Sequence, residues 1–182
     1  MEKIILVDKK DRAIGTGEKM QVHKAGKLHR AFSIFVFNSR GELLLQKRAS
    51  GKYHSGGLWT NTCCSHPRAG EKLEQAVHRR LKQEMGFDCP LKEAFSFIYK
   101  VRFEDGIYEH EFDHVFVGRH EGTPAPNPEE VEGWKRVSMK ELKKDIRKNP
   151  GNYTYWLRIA VGKLDSLEGR CKGAPSVQNP KK

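Results

Sequence analysis

Cysteine is scarce in this chain. Only Cys63, Cys64, Cys89 and Cys171 occur among 182 residues, and no two stand in a C-x-x-C arrangement. That excludes a structural zinc ribbon. Cys63 and Cys64 are neighbours, and neighbouring cysteines rarely pair without backbone strain, so reduced thiols are expected rather than a disulfide framework. Long hydrophobic runs are missing too. Nothing approaches the roughly 20 apolar residues of a membrane span. The strip Ile4–Val7 is too short for a signal peptide. A cytoplasmic protein with no membrane partner is the expectation. A Cys-His finger, an RNP sequence and an interleaved aromatic-basic repeat are also absent, which argues against a nucleic-acid partner. No internal repeat or linker divides the chain, whose length suits one domain able to bury a core without staples. No long apolar surface run calls for a second copy, so a monomer is expected.

Acids are outnumbered. Lys and Arg total 34 against 23 Asp and Glu, for a net charge of +11. A solvated basic surface accounts for such an excess, and so does an anionic partner such as a phosphorylated small molecule.

What is present is a mixture of strand and helix signals. Ile4–Val7 reads as a short strand. Ala31–Phe37 and Glu42–Lys47 flank the turn signal Asn38-Ser39-Arg40-Gly41 and read as a hairpin. Leu73, Val77, Leu81 and Met85 recur every four residues, which predicts a helix over Glu71–Met85 with Gly86 as its stop. On that helix Arg80 and Glu84 lie one turn apart and can meet. Phe95, Phe97, Tyr99, Val101 and Phe103 alternate along a strand, Glu104-Asp105-Gly106 turns it, and Tyr108–Val117 returns. On the return strand Glu109, Glu111 and Asp113 share one face, which is either solvent-facing or built for a cation. Ser138 and Glu141 form a capping box opening a helix of about ten residues. Tyr153–Leu167 reads as a last helix, and the end from about Glu168 is polar. Such a mixture predicts an α/β or α+β sheet with helices packed on it.

Some of these residues can carry chemistry. His23 and His29 precede the first hairpin strand, and His66 closes the stretch TNTCCSHP. Imidazoles together with carboxylates suit zinc, manganese or iron, although no HExxH pair is present. The stretch GEKLEQAVHRRLKQEMG sets Glu71, Arg79, Glu84 and Gly86 at the spacing of a Nudix box, G-x5-E-x7-R-E-U-x-E-E-x-G. That box uses helix carboxylates to hold Mg2+ on a diphosphate. Here Ser65 stands in place of the first Gly, and Arg80 and Gln83 replace two of the acids. Mg2+ needs several oxygen ligands, so the pattern favours binding a diphosphate over hydrolysing it.

The stretches KMQVHKAGKLHRAFSIFVFN, KRASGK, LWTNTCCSHP, RRLKQEMG, YEHEFDHVF and YTYW follow one another in this order, over residues 3 to about 160. With them the chain resembles the type I isopentenyl-diphosphate isomerases, a Nudix-fold family. The resemblance implies an α/β (α+β) single domain, a Nudix-type mixed β-sheet sandwiched by helices, over residues 1–165, with 166–182 as a polar basic tail. It implies that Cys64 is a catalytic cysteine, that Cys63 packs, and that Glu111 is the second catalytic group. Tyr99 would hydrogen-bond near that carboxylate, and Trp156 would face the reacting hydrocarbon. His23, His29, His66, Glu109 and Glu111 would hold a tightly bound divalent metal (manganese, zinc or magnesium). Glu84 would hold a Mg2+ that also binds the substrate diphosphate. Lys19, Arg48, Lys52 and Arg80 would grip the diphosphate, and no flavin is implied. The implied substrate is a small isoprenoid diphosphate, and the implied reaction moves its double bond through a tertiary carbocation. The competing expectation is a Nudix diphosphate hydrolase, which should keep the helix acids.

Overall fold

The structure is a computed structural model that describes residues 2–52, 54–103 and 106–171, with side chains to residue 164. Glu104 and Asp105 of the expected turn, and the last part of the expected tail, lie outside the described residues. The elements are β1 (Lys3–Val7), β2 (Ala13–Glu18), α1 (Lys19–Ala25), β3 (His29–Phe37), β4 (Glu42–Arg48), β5 (Trp59–Thr60) and β6 (Cys63–Ser65). There follow α2 (Leu73–Met85), β7 (Leu91–Arg102), β8 (Tyr108–Arg119), β9 (Val131–Ser138), α3 (Met139–Lys148), a 3-10 turn at Pro150–Asn152 and α4 (Tyr155–Cys171).

Among the described residues, one mixed sheet contains all nine strands. Its spine is β3, which runs parallel to β8 in continuous register from His29↔Glu111 to Phe37↔Arg119. β7 lies antiparallel on the outer edge of β8. The other edge of β3 is shared: Leu6 of β1 opposes His29, β6 opposes Phe32–Ile34, and β4 touches only at Phe37↔Leu43. The expected hairpin therefore splays at once. β4 leaves β3 because β6 takes that edge, and β4 pairs instead with β9 along its length and with β5 near its end.

Alternation along β3 divides the core. Phe32, Ile34 and Val36 point to one side, where Cys63, Val77, Leu81 and Met85 close a cluster under α2. Phe35 points to the other side, with Leu43, Leu45, Val115, Leu142 and Leu157 beneath α3 and α4. The sheet is thus sandwiched by helices. Each fully buried side chain of this size stabilises the fold by roughly 1.5–3 kcal/mol.

The local signals act where they were read. α2 ends at Gly86, whose φ of 75° is left-handed and whose N–H donates to Lys82 O at 3.0 Å. α3 opens with the Ser138/Glu141 capping box. α4 begins at Tyr155 and continues to Cys171. Two elements without a sequence signal, β2 and α1, meet at Glu18, whose carboxylate accepts the N–H groups of Met20 and Gln21. No helix among the described residues is long and apolar enough to cross a membrane.

Gly86 and Gly41 separate two costs of a side chain. Both have positive φ, but a Cβ at Gly41 meets nothing within 4 Å, whereas one at Gly86 lies 2.3 Å from Ala125 O. Gly41→Ala is expected to lose about 1–2 kcal/mol from left-handed strain alone. Gly86→Ala should lose more, because the 122–128 loop must shift as well. Urea unfolding of both variants tests that order.

Candidate active site

The topology brings one cluster together. The β3–β8 register sets His29 directly beside Glu111. β8 alternation puts Glu109 on the same face, α1 hands in His23 just before β3, and His66 follows β6. All five side chains are buried, and one ligand atom from each lies within 4.8 Å of the others. His29 Nε2 is 3.2 Å from His66 Nε2, His66 Nε2 is 2.9 Å from Glu111 Oε1, and His23 Nε2 is 3.3 Å from Glu109 Oε1. The Nδ1 atoms of His23 and His29 lie 2.6 and 2.9 Å from the carbonyls of Lys19 and Lys27. A proton held on each Nδ1 by those carbonyls turns the Nε2 lone pair into the cluster.

Burial holds the His66 imidazole well below its usual pKa, so it is neutral. Burial alone would raise the Glu111 pKa. The nearby imidazoles of His29 and His66 outweigh it and hold that carboxyl well below its ordinary range. Glu109 Oε2 is buried and accepts no hydrogen bond among the described residues. Imidazoles facing each other beside two carboxylates, with a buried oxygen left over, fit a divalent cation. The acidic face of β8 is therefore not solvent-facing.

The pocket in front of this cluster gathers the remaining candidates. Cys64, Tyr99, Trp156, Glu84, Lys19, Arg48, Lys52 and Arg80 all line it, together with His66, Glu109 and Glu111. His23 and His29 lie behind that wall. Cys64 stands directly across from Ser33, whose Oγ donates to Asp113 Oδ2 at 2.8 Å, so thiol and β8 acids rise from one face. Its neighbour Cys63 points the other way, fully buried under α2. Burial pushes the Cys64 thiol up to about 12, against the opposing charge of Arg48. Tyr99 pairs with Glu111 across β7–β8 and donates its hydroxyl to Glu111 Oε2 at 2.7 Å. Burial and the charge of Glu111 raise the Tyr99 pKa well above the usual phenol value. Burial and the same neighbouring charge raise the Asp113 pKa well above the usual carboxylate range.

The NUDIX domain family matches residues 27–157 of the chain. The isopentenyl-diphosphate Delta-isomerase 2 of Aromatoleum aromaticum is 54% identical over 91% of this chain and 87% of the relative. Its namesake from Photorhabdus laumondii is 53% identical over 90% and 92%. The isopentenyl-diphosphate Delta-isomerase of Burkholderia multivorans is 52% identical over 88% and 91%. The chain belongs to the isopentenyl-diphosphate Delta-isomerase family of NUDIX-domain proteins. Solved structures show the same fold at low identity. Protein DR0079 of Deinococcus radiodurans superposes with a TM-score of 0.68 at 21% identity, covering 81% of this chain and 90% of that one. A MutT protein of Methanosarcina mazei gives 0.62 at 18%, covering 78% and 95%.

In this isomerase-family chain, α2 turns one acid into the pocket. Glu84 is buried, pairs with Arg80, and accepts from Gln46 Nε2 at 3.0 Å. Glu71 is held by Arg79 through two bonds of 2.6 and 2.8 Å, and Gln83 takes a third Arg79 bond outside. Glu130 reaches in from the loop before β9 and bridges Lys52 and Arg80. Burial lowers the Lys52 pKa.

Sequence reasoning missed several of these residues. His54, Gln46, Asn61 and Glu130 carry no periodicity or spacing that marks them; His54 had only its place two residues after Lys52 as a signal. Asn61 is the clearest structural case. Its Oδ1 accepts Trp156 Nε1–H at 3.1 Å, and its Nδ2 donates to Ile34 O and Cys63 O. Asn61→Leu keeps the volume but strands these buried partners. At about 1–3 kcal/mol for each unsatisfied group, the variant is expected to lose at least about 2 kcal/mol in urea unfolding. A loss of a few tenths would show that the network does not hold α4.

Proposed function

We propose that the protein interconverts isopentenyl and dimethylallyl diphosphate within a domain spanning residues 1–165, with 166–182 outside the chemistry. The carrying observation is that a neutral, half-buried thiol, Cys64, and a carboxylate bonded by a phenol, Glu111 with Tyr99, open on one pocket. An unactivated alkene is a poor base, so it takes a proton only from a well-placed acid. Moving the double bond needs one proton delivered to carbon and another removed from a different carbon. Cys64 and Glu111 are the pair that exchanges these protons. In the reverse reaction their parts interchange.

The charge that develops between the two transfers is a tertiary carbocation. Trp156 presents its ring to it, a stabilisation on the order of 2 kcal/mol when desolvated. The buried walls keep out water, which would otherwise capture the cation as an alcohol. Lys19, Arg48, Lys52 and Arg80 anchor the diphosphate, and Glu84 is the ligand for a Mg2+ accompanying it. His23, His29, His66, Glu109 and Glu111 hold a second divalent ion, with manganese, zinc and magnesium all compatible with nitrogen and oxygen donors. When bound, that ion polarises and fixes Glu111. The loss of acids from α2 supports isomerisation over hydrolysis, since only Glu84 faces the pocket. Large hydrophobics are exposed at Ile14, Ile98 and Trp134 on separate strands, which supports a monomer. We place it in the cytoplasm.

Proton NMR of isopentenyl diphosphate incubated with the protein and Mg2+ in D2O, without flavin, tests the reading. Dimethylallyl diphosphate carrying deuterium is expected, and Cys64→Ala should slow its formation by at least about 100-fold. Phosphate or isopentenol released without isomerisation would establish the hydrolase instead.

A further inference from the structure

His54 has no part in the chemistry above, yet it is buried against it. It sits in the loop between β4 and β5 and is 7% exposed. Its Nε2 lies 2.5 Å from Glu109 Oε1, the oxygen that also faces His23. Its Nδ1 lies 3.2 Å from Ser55 Oγ. With the Ser55 hydroxyl donating to Nδ1, the ring carries its proton on Nε2 and donates it to Glu109. The ring stacks on Phe103 at 4.8 Å and 9°, and meets Trp156 edge-on at 5.9 Å and 88°.

The backbone from His54 to Gly56 is tightly held. Arg48 Nη2 donates to His54 O at 3.2 Å. Ser55 adopts a φ of 51°, a left-handed conformation that costs a residue with a side chain roughly 1–2 kcal/mol. A Cβ on Gly56 would lie 2.5 Å from Ser50 O. Such a loop delivers one side chain to one place.

That place settles what Glu109 can do. Oε1 is taken by His54, while Oε2 is buried without a hydrogen bond among the described residues and faces His29 Nε2 at 4.0 Å. We infer that His54 is a positioning residue for the metal cluster, holding Glu109 by Oε1 so that Oε2 is presented as the ligand. The same contact ties the loop that carries Lys52 to the cluster. A carboxylate pinned from outside in this way binds an ion without first being ordered, and removing such a partner typically weakens metal binding by about 10–100-fold.

The inference rests on the cluster being a metal site, and the experiment separates the two. The metal-free protein, His54→Phe, His54→Gln and Glu109→Gln each compete with a chromophoric chelator for Zn2+. His54→Phe keeps the stack on Phe103 and loses the donor, and urea unfolding of the metal-free variants checks that it folds. His54→Gln returns an N–H near the place of Nε2. His54→Phe is expected to bind Zn2+ about 10–100-fold more weakly, and His54→Gln to recover most of that loss. Unchanged affinity in His54→Phe overturns the inference. So does equal weakening in both variants, since an N–H returned to the place of Nε2 would then restore nothing. If the parent and Glu109→Gln bind Zn2+ alike, the cluster itself is not the site, and the role of His54 falls with it.

Discussion

The parallel pairing of β3 with β8 is the constraint on which the rest depends. Its register sets His29 beside Glu111, and every other site residue is placed relative to that pair. A slip of one residue would turn Glu109, Glu111 and Asp113 to the opposite face, because side chains alternate along a strand. The register is held by burial: Phe32, Ile34, Phe35 and Val36 are all fully covered by helices on the two sides. The core of the sandwich thus secures the alignment of the site.

Burying three acids on one strand face is costly unless each finds a partner. Each finds a different one here. Glu111 accepts from Tyr99 and faces imidazoles, Glu109 faces His23 and His54, and Asp113 accepts from Ser33. The result is a site with one firmly anionic carboxylate beside a thiol kept neutral by burial. That difference in protonation between neighbours suits a reaction that moves protons to and from carbon. The basic side of the pocket is balanced in the same way, with Glu84 and Glu130 set among Arg80 and Lys52. Those acids hold the cations of that wall in place.

Much of the fold was legible locally. The four-residue repeat marked α2, Gly86 its end, and the Ser138/Glu141 box the start of α3, because each is a property of neighbouring residues. The alternation of β7 and β8 placed Glu109, Glu111 and Asp113 on one face before any contact was known. β5 and β6, of two and three residues, left no such trace. Their strand character comes from partners already in the sheet, not from their own sequence. The β3–β4 hairpin was legible at its turn but not beyond it, since the competing partner β6 lies far along the chain.

The same line divides the site. The sequence by itself marked the candidate residues: TNTCCSHP, the altered helix box and the period-two acids are local patterns of residue type. The family resemblance already set Cys64 above Cys63, and the tertiary structure supplied the reason, since strand alternation opposite Ser33 and Ile34 turns Cys64 to the pocket and Cys63 beneath α2. Only the tertiary structure brought in His54, Gln46, Asn61 and Glu130. Their partners lie between 38 and 95 residues away for Gln46 and Asn61's bond to Trp156. A hydrogen bond between such distant positions leaves no spacing in the chain, because folding alone sets the two groups side by side.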